Sequence, residues 1–306
     1  MRTMLRIALA GAWLATFTAP AAAQPACDRE CLVGTAKDYL EAVAARSAVS
    51  LTVADGIRYT ENGQRLSLHD GLWATADRLD DFRIVVPDLR RQEVGLFARI
   101  VESGQPALLA ARIKLDGRTI SEIETVVARK DPGGMSRPED ARVRPGFLEP
   151  LAASQAVPRA RMLEVADSYF VGLERATDKF TPFDEKCLRI ENGLQTTSTN
   201  GIAPGIPQMN CKEQFATGFS KFITGLRDRR YLVDEKTGVV MAMLFFDHNG
   251  TVKSVDLADG SKMEVPSPFD RPFTFQIFEL FKVTGGKIRE IEAILNTVPY
   301  GMDSGW

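Results

Sequence analysis

Histidine is scarce in this chain, with two among 306 residues, and the short motifs that mark several large enzyme classes are missing. The sequence has no G-x-S-x-G nucleophile elbow, H-E-x-x-H zinc helix, glycine-rich phosphate loop or dinucleotide-binding fingerprint. A Ser-His-Asp triad would depend on His69, and no motif marks its serine. These absences argue against nucleotide, flavin and metalloprotease chemistry.

Neither sign of charge is in excess, since 38 lysines and arginines face 40 aspartates and glutamates. There is therefore no electrostatic reason to expect nucleic acid or an anionic membrane as a partner. The composition is that of a globular protein with a substantial core, and the length suffices for two domains of ordinary size. Small molecules and other proteins remain as partners.

The chain also lacks an apolar run long enough to span a bilayer, which takes about 20 residues. The apolar run from Ile7 to Ala19 is shorter, follows two arginines and precedes an Ala-Ala-Ala cleavage site. That order is typical of a secretory signal peptide, which we place at residues 1–23. We expect a soluble product with no membrane span, exported to the periplasm or the medium, whose mature chain begins near Gln24.

The sequence contains an internal repeat. Tyr39 precedes a Glu-Asn-Gly phrase at Glu61 by 22 positions, and Tyr169 precedes the same phrase at Glu191 by the same interval. Each copy opens with an apolar stripe at helical spacing and closes with an Ile-x-Glu-Ile-Glu phrase. Asn-Gly predicts a tight turn between strands, and alternating segments after it predict a meander of strands in each copy. The sequence therefore predicts a tandem duplication of one α+β domain.

We place the first copy at residues 27–130, a proline-rich linker at 131–158 and the second copy at 159–306. The second copy is about 38 residues longer, and we place the extra length in loops near 196–210 and 265–272. Its predicted strands include Val252 to Leu257. In the first copy, Asp70 is predicted to cap a short helix, whereas His248 is predicted to lie in an exposed turn.

Four cysteines lie after the predicted signal peptide, and an even count in an exported chain favours disulfides over metal ligands. Of the three possible pairings we favour Cys27 with Cys31 and Cys187 with Cys211, because each bridge then stays inside one copy. Residues four apart on a helix also lie within disulfide range. The rival zinc site lacks a paired C-x-x-C motif, and no metal site is predicted.

Three segments resemble a known family: Tyr59 to Gln64, Asp70 to Trp73 and the ending Val298 to Trp306. They look like an uncharacterised family of secreted bacterial and fungal proteins built from two SnoaL-like, or nuclear-transport-factor-2-like, domains. The resemblance implies two α+β cones, each with helices packed on a curved antiparallel sheet. In that superfamily the open end of the cone is a pocket used by isomerases, cyclases, epoxide hydrolases and dehydratases, and also by modules that only bind.

The resemblance implies no cofactor, because catalysis in such pockets usually needs one carboxylate or histidine in apolar surroundings. Domains of this superfamily commonly dimerise through their sheets. The duplicated chain is therefore expected to be a monomer with an intrachain pseudo-dimer, or a homodimer.

Candidate catalytic residues are acids and a histidine near the repeated motifs. In the first copy they are Glu61 and His69, with Asp70 orienting the imidazole; in the second they are Glu191 and Glu292. Each has a competing structural interpretation. Glu61 and Glu191 each have an arginine nearby in the sequence, and Glu292 belongs to a strand pair of acids that faces either solvent or the concave side of the sheet.

Candidate ligand-binding residues supply aromatic and polar walls to the two pockets: Tyr59, Trp73, Asn192, Gln276 and Tyr300. With the acids, they predict a protein that handles a small apolar or aromatic molecule. If it is an enzyme, we expect cofactor-free acid-base work such as isomerisation, dehydration or hydrolysis. The alternative is a non-catalytic binding or assembly module.

Overall fold

The structure is a computed structural model and describes residues 26–131, 133–197 and 209–306. The predicted signal peptide lies outside the described residues, as does most of the predicted 196–210 loop. Within the described residues, no helix is both long and apolar enough to cross a membrane.

The first copy is a six-stranded sheet preceded by a helix. Helix α1 (Arg29–Ala44) begins after Asp28, whose side chain accepts a hydrogen bond from the backbone N–H of Cys31 and so caps the helix. The elements that follow are β1 (Val53–Glu61), β2 (Gln64–Leu66), the one-turn α2 (Leu72–Thr75), β3 (Ala76–Asp88), β4 (Glu93–Glu102), β5 (Gln105–Asp116) and β6 (Thr119–Arg129).

The second copy repeats this order with additions. Its elements are α3 (Arg159–Arg175), β7 (Phe183–Glu191), β8 (Leu194–Gln195), α4 (Cys211–Ala216), β9 (Gly225–Asp234), β10 (Val239–Asn249), β11 (Ser254–Asp256), β12 (Lys262–Glu264), β13 (Pro272–Thr284) and β14 (Lys287–Val298). The prediction that Val252 to Leu257 forms one of the consecutive strands of the second copy's sheet is wrong. Only β11 forms there, and it pairs with β12 in a separate two-stranded sheet.

The two main sheets have one topology. Their strand orders are β2-β1-β6-β5-β4-β3 and β8-β7-β14-β13-β10-β9. In both, the strand that leads into the Glu-Asn-Gly turn pairs in parallel with the last strand, and the remaining pairs are antiparallel. The predicted duplication is confirmed at the level of a repeated pair of six-stranded sheets.

The repeated Glu-Asn-Gly phrase fixes the register of this topology. Asn62 and Asn192 adopt φ values of 50° and 48°, and the glycine after each is also left-handed, which matches a primed hairpin turn. Each asparagine amide then exchanges two hydrogen bonds with the backbone of the closing strand, at Val127 in the first copy and Leu295 in the second. The motif therefore joins the first hairpin to the last strand.

The two sheets pack face to face. Helices α1 and α3 bury apolar stripes against one side of their own sheets, and the other sides meet in a shared core. That core contains Phe82, Ile84, Val86, Phe97, Leu108, Ala110, Val126, Ala128, Leu232, Met241, Met243, Phe278, Leu280 and Ile294. Ala141 and Phe147 of the linker join it. The burial of this surface holds the copies in a fixed relation.

Two ion pairs cross the interface reciprocally. Arg29, the first residue of α1, binds Asp234, the last residue of β9, with two hydrogen bonds of 2.6 and 2.7 Å. Arg159, the first residue of α3, binds Asp88, the last residue of β3, at 2.5 Å. Both aspartates are at most 1% exposed. Equivalent residues of each copy therefore neutralise a buried charge of the other.

Both predicted disulfides are present. Cys27 pairs with Cys31 and Cys187 with Cys211, with Cα atoms 5.3 and 5.6 Å apart. The second bridge ties β7 to the start of α4. The pairing fits an oxidising compartment.

Candidate functional site

The second copy contains a pocket of about 790 Å³ between its sheet, α3 and the inserted segments. Its apolar lining comes from Leu173, Leu194, Phe219, Phe222, Ile223, Phe246, Met263, Phe269, Phe275, Ile277 and Leu295. Its polar lining comes from Tyr169, Arg189, Glu191, Gln195, Thr196, Gln214, His248 and Ser267 of the second copy and from Arg137 and Asp140 of the linker. Mostly apolar walls with a few polar groups are typical of small-molecule sites.

Part of the aromatic wall of the pocket comes from segments that are longer in the second copy than in the first. In the first copy β4 and β5 are joined by Ser103 and Gly104 alone, whereas β10 and β13 are separated by residues 250–271. That segment forms the β11–β12 hairpin, whose buried side chains pack against Phe219, Phe222 and Phe269. A similar excess precedes β9, where residues 196–224 stand against 67–75 in the first copy. The extra length is therefore divided about equally between these two places, and the later segment is longer than the predicted 265–272. Together they supply Phe219, Phe222 and Phe269, which have no counterpart in the described first copy.

Arg189 organises the polar lining. Its guanidinium donates hydrogen bonds to the Tyr169 hydroxyl at 3.1 Å, the Gln214 side-chain oxygen at 2.7 Å and the Thr196 hydroxyl at 2.9 Å. Glu191 lies 3.6 Å from Arg189 Nε, and its side chain keeps 32% of its surface exposed. The arginine is thus fixed by three neutral partners and forms a longer ion pair with the predicted acid Glu191, whose partly exposed side chain lines the pocket.

Glu279 lies behind this cluster on β13 and is 2% exposed. Burial, with a smaller contribution from the negative charge of Glu191, raises the pKa of Glu279 to about 8, against the opposing effect of Arg189. Glu279 is therefore protonated at neutral pH. The first copy has Ala111 at this position, by the register of β5 and β13.

His248 corrects the prediction of an exposed turn residue. It belongs to β10, is 1% exposed and lines the pocket. Its ring stacks on Phe273 with centroids 4.4 Å apart, and Phe222, Phe269 and Phe275 surround it at 5.3 to 5.9 Å. Burial lowers its pKa to about 4, so the imidazole is neutral at physiological pH.

The first-copy candidates are placed differently. Glu61 is buried, and its carboxylate accepts hydrogen bonds from the Tyr59 hydroxyl at 3.1 Å, the Leu72 backbone N–H at 2.7 Å and Arg129 at 3.1 Å. The Glu61 carboxylate thereby accepts a hydrogen bond from the backbone N–H at the start of α2. The sequence predicted this capping role for Asp70. The prediction for Asp70 is wrong, because Gly71 occupies the cap position.

His69 and Asp70 are both exposed, and Asp70 accepts a hydrogen bond from Ser67 instead of orienting the imidazole. Trp73 is 1% exposed and packs edge-on against Tyr39, with ring centroids 5.7 Å apart. In the described part of the first copy, the buried Tyr39, Tyr59 and Trp73 form a filled interior together with Glu61. His69 lies outside this interior.

Glu292 and its sequence partner Glu290 share one face of β14, as alternation predicts, but this face meets the linker and the first copy. Arg144 of the linker bonds Glu292 at 2.9 Å and approaches Glu290 at 3.4 Å. Burial raises the pKa of Glu292 to about 7, although Arg144 opposes the shift. In the first copy the equivalent Glu124 is bound by Arg112 and, across the interface, by Arg230.

The remaining predicted ligand contacts fall outside the pocket. The side-chain amide of Asn192 is hydrogen bonded to the backbone of Leu295. Tyr300 is 51% exposed. Gln276 is 1% exposed and lies on the opposite side of β13 from the pocket-lining Phe275 and Ile277, facing the first copy near Gly63. The structure thus brings only Glu191 of the predicted site residues into the pocket lining.

The C-terminal segment crosses to the first copy. Trp306 lies between the guanidinium groups of Arg58 and Arg112, at 4.3 and 4.8 Å from the ring, and donates a hydrogen bond to Thr60. Arg227 also binds the backbone oxygen of Met302. The segment therefore fastens the two copies together and does not line the pocket.

Sequence reasoning missed two buried titratable residues that strand alternation marks. Glu279 is an even number of positions from Phe275, Ile277 and Phe281, so it shares their inward face. His248 likewise follows Phe246 by two positions, but the Asn-Gly after it suggested a turn. The strand continues to Asn249, and the alternation holds to its end.

Residues 155–295, which cover most of the second copy, match a family model described as a domain of unknown function, DUF8021. None of the curated proteins compared with the chain matches it. Among solved structures, the crystal structure of BvnE pinacolase from Penicillium brevicompactum is similar over 47% of this chain and 90% of its own, at 14% identity and a TM-score of 0.26.

Proposed function

We propose that the second copy binds a small, largely apolar or aromatic molecule in the pocket between its sheet and inserted segments. The observation that carries the proposal is the pocket itself. Its volume of about 790 Å³ lies in the range of about 300–1,000 Å³ that is usual for small-molecule sites. Five phenylalanines provide apolar surface, and the Arg189 cluster provides a fixed polar end.

We propose further that each copy is a SnoaL-like cone and that the chain is an exported monomer whose copies form a pseudo-dimer. The helix-on-sheet cores of both copies and the two disulfides support this. The sheet faces are already covered by each other, which leaves less reason to expect an assembly module. Light scattering after size exclusion tests the oligomeric state: a dimer mass would refute the monomer.

Binding is testable with the neutral fluorophore N-phenyl-1-naphthylamine, whose emission rises in apolar surroundings. Leu295→Trp places a larger ring at the pocket wall and is expected to weaken binding at least ten-fold. The matched control is Leu148→Trp, which adds the same ring at a linker residue that is 52% exposed. No binding by the unmodified chain, or equal loss in both variants, would refute the pocket as the binding site.

A second candidate function is cofactor-free acid-base catalysis on the bound molecule. It is favoured by Glu191, a partly exposed carboxylate beside the fixed Arg189 and the protonated Glu279. In this mechanism Glu191 removes a proton from a carbon or hydroxyl group of the substrate, and the neighbouring donors hold the oxygen on which charge develops.

The repeat provides a matched test of this second function. A component of a metabolite extract that the protein consumes is first identified by mass spectrometry, and turnover is then compared in Glu191→Gln and Glu61→Gln. We expect Glu191→Gln to lower turnover about 100-fold or more, while Glu61→Gln leaves it within two-fold. Consumption of no component would limit the function to binding, and unchanged turnover in Glu191→Gln would exclude this acid.

A further inference from the structure

His248 provides a polar contact at a point of the pocket that is otherwise formed by rings. It is on β10, whereas Arg189 and Glu191 are on β7, and two strands separate β10 from β7 in the sheet order. The pocket therefore has two polar regions on different strands. The Arg189 region is internally hydrogen bonded, but the His248 region is not.

The Nδ1 atom of His248 is buried and has no hydrogen-bond partner among the described residues. The ring is surrounded by the side chains of Phe222, Phe269, Phe273 and Phe275, which offer neither donors nor acceptors. The backbone of Phe246 is close enough to raise the pKa of the imidazole but makes no hydrogen bond with Nδ1. Buried polar atoms are paired in the great majority of proteins. Because His248 is among the residues that line the pocket, a molecule bound there lies beside the imidazole and can supply the missing partner.

The chemistry of that partner follows from the neutral ring. A neutral imidazole has one N–H donor and one acceptor nitrogen, and a hydroxyl group both donates and accepts, so it pairs with either tautomer. A formal charge on the ligand is disfavoured here because the surrounding rings provide no counter-charge. The nearest carboxylate in sequence, Asp247, is already bound to Arg227 and Thr274.

Resting on the proposed function, we propose that the pocket selects ring compounds that carry a hydroxyl group and that this group hydrogen bonds with His248. The phenylalanines around His248 stack on the ring of the ligand, and the imidazole distinguishes a hydroxyl substituent from an apolar substituent of similar size. His248 is thus a specificity-determining residue of the second copy.

The test uses two probes of similar shape, 2-naphthol and 2-methylnaphthalene, in competition with N-phenyl-1-naphthylamine. The unmodified chain is expected to bind 2-naphthol about ten-fold more tightly than 2-methylnaphthalene, because the methyl group leaves the imidazole unpaired. His248→Phe keeps a ring of similar shape in the wall. It is expected to remove this preference while binding of 2-methylnaphthalene is retained.

The chain supplies its own control, since its other histidine, His69, is exposed in the first copy. His69→Phe is expected to leave both affinities unchanged. Equal affinity for the two probes in the unmodified chain, or a preference that survives His248→Phe, would overturn the inference and leave the binding function intact. Failure of the chain to bind any of the three compounds would instead refute the proposed function.

A spectroscopic readout does not depend on the His248→Phe variant folding. In His69→Phe, His248 is the remaining histidine, so its imidazole ¹⁵N signals are assigned directly. Addition of 2-naphthol is expected to shift these signals, whereas 2-methylnaphthalene is expected to shift them much less. Equal shifts with both probes would contradict the hydrogen bond.

Discussion

The two copies share a sheet topology but differ in what surrounds the equivalent tyrosines. Tyr39 lies in a closed interior beside Trp73, whereas Tyr169 borders a pocket. The repeated Glu-Asn-Gly phrase has the same turn and the same backbone contacts in both copies. The repeated Asn-Gly residues therefore maintain the fold, whereas the pocket is lined mainly by residues at positions where the copies diverge.

The divergence is visible position by position. The register of the sheets aligns Glu102 with His248, and Glu102 is held by Arg129 and Thr75 while His248 lines the pocket. The spacing within each repeat aligns Tyr59 with Arg189. In the first copy a tyrosine supports Glu61, whereas in the second an arginine holds the pocket's polar lining.

The largest expected effect tests the closed interior of the first copy. Trp73→Ala is expected to lower the free energy of unfolding by about 4 kcal/mol, because a fully buried ring is lost and a cavity is left. Phe222→Ala removes a partly exposed ring of the second copy's pocket and is expected to cost less than half as much while weakening probe binding. Denaturant unfolding measures both. Equal costs would contradict the contrast between a filled interior and an open pocket.

The next prediction compares the stability lost at Arg189 and at Tyr59, which occupy equivalent positions in the two copies. Arg189→Met is expected to cost about 3 kcal/mol, because it leaves Tyr169 and Gln214 without their donor and Glu191 without its neighbouring charge. Tyr59→Phe removes one hydrogen bond to Glu61 and is expected to cost about 1 kcal/mol. If the two substitutions cost the same in denaturant unfolding, Arg189 does not organise the pocket as described.

The reciprocal ion pairs are expected to behave alike, in contrast to the pocket residues. Arg29→Met and Arg159→Met each leave a buried aspartate without its cation, and we expect each to cost about 2 kcal/mol in stability. A double-mutant cycle with Asp234→Asn and Asp88→Asn measures the coupling of each pair. Couplings that differ by more than about two-fold would show that the interface is less symmetric than its geometry.

The stability of the second copy is also expected to depend on pH through Glu279, which has no counterpart in the first copy. The pKa of Glu279 is raised to about 8 in the folded protein, so its contribution to stability is complete below its ordinary value of 4.5 and is lost as the pH rises through about 8. Glu279→Gln is therefore expected to unfold with a shallower loss of stability between pH 5 and 9. Glu292, raised to about 7, accounts for part of the dependence that remains. The same pH slope in both proteins would contradict a protonated Glu279.

Sequence alone predicted what short-range rules determine. The helices and the Asn-Gly turns follow from local spacing, and the shared face of Glu290 and Glu292 follows from strand alternation. Both disulfides followed from keeping each pair within one copy. These features depend on neighbours along the chain or on the repeat itself.

What sequence did not predict depends on contacts between distant segments. Glu61, and not Asp70, satisfies the start of α2 from 11 positions away. The partner of Glu292 is Arg144 of the linker, and the rings around His248 come from three different segments of the second copy. No periodicity in the sequence marks such pairings, so the pocket becomes visible only when the fold brings these residues together.

The exchange of Arg29 and Arg159 between the copies has a consequence for how the molecule comes apart. Neither copy neutralises the buried aspartate at the end of its own edge strand. Separating the copies therefore breaks two ion pairs, leaves both aspartates without a cation and exposes the apolar faces of both sheets. The loss of one half therefore removes much of what stabilises the other. The chain is expected to unfold in a single cooperative transition, although it contains two complete sheets.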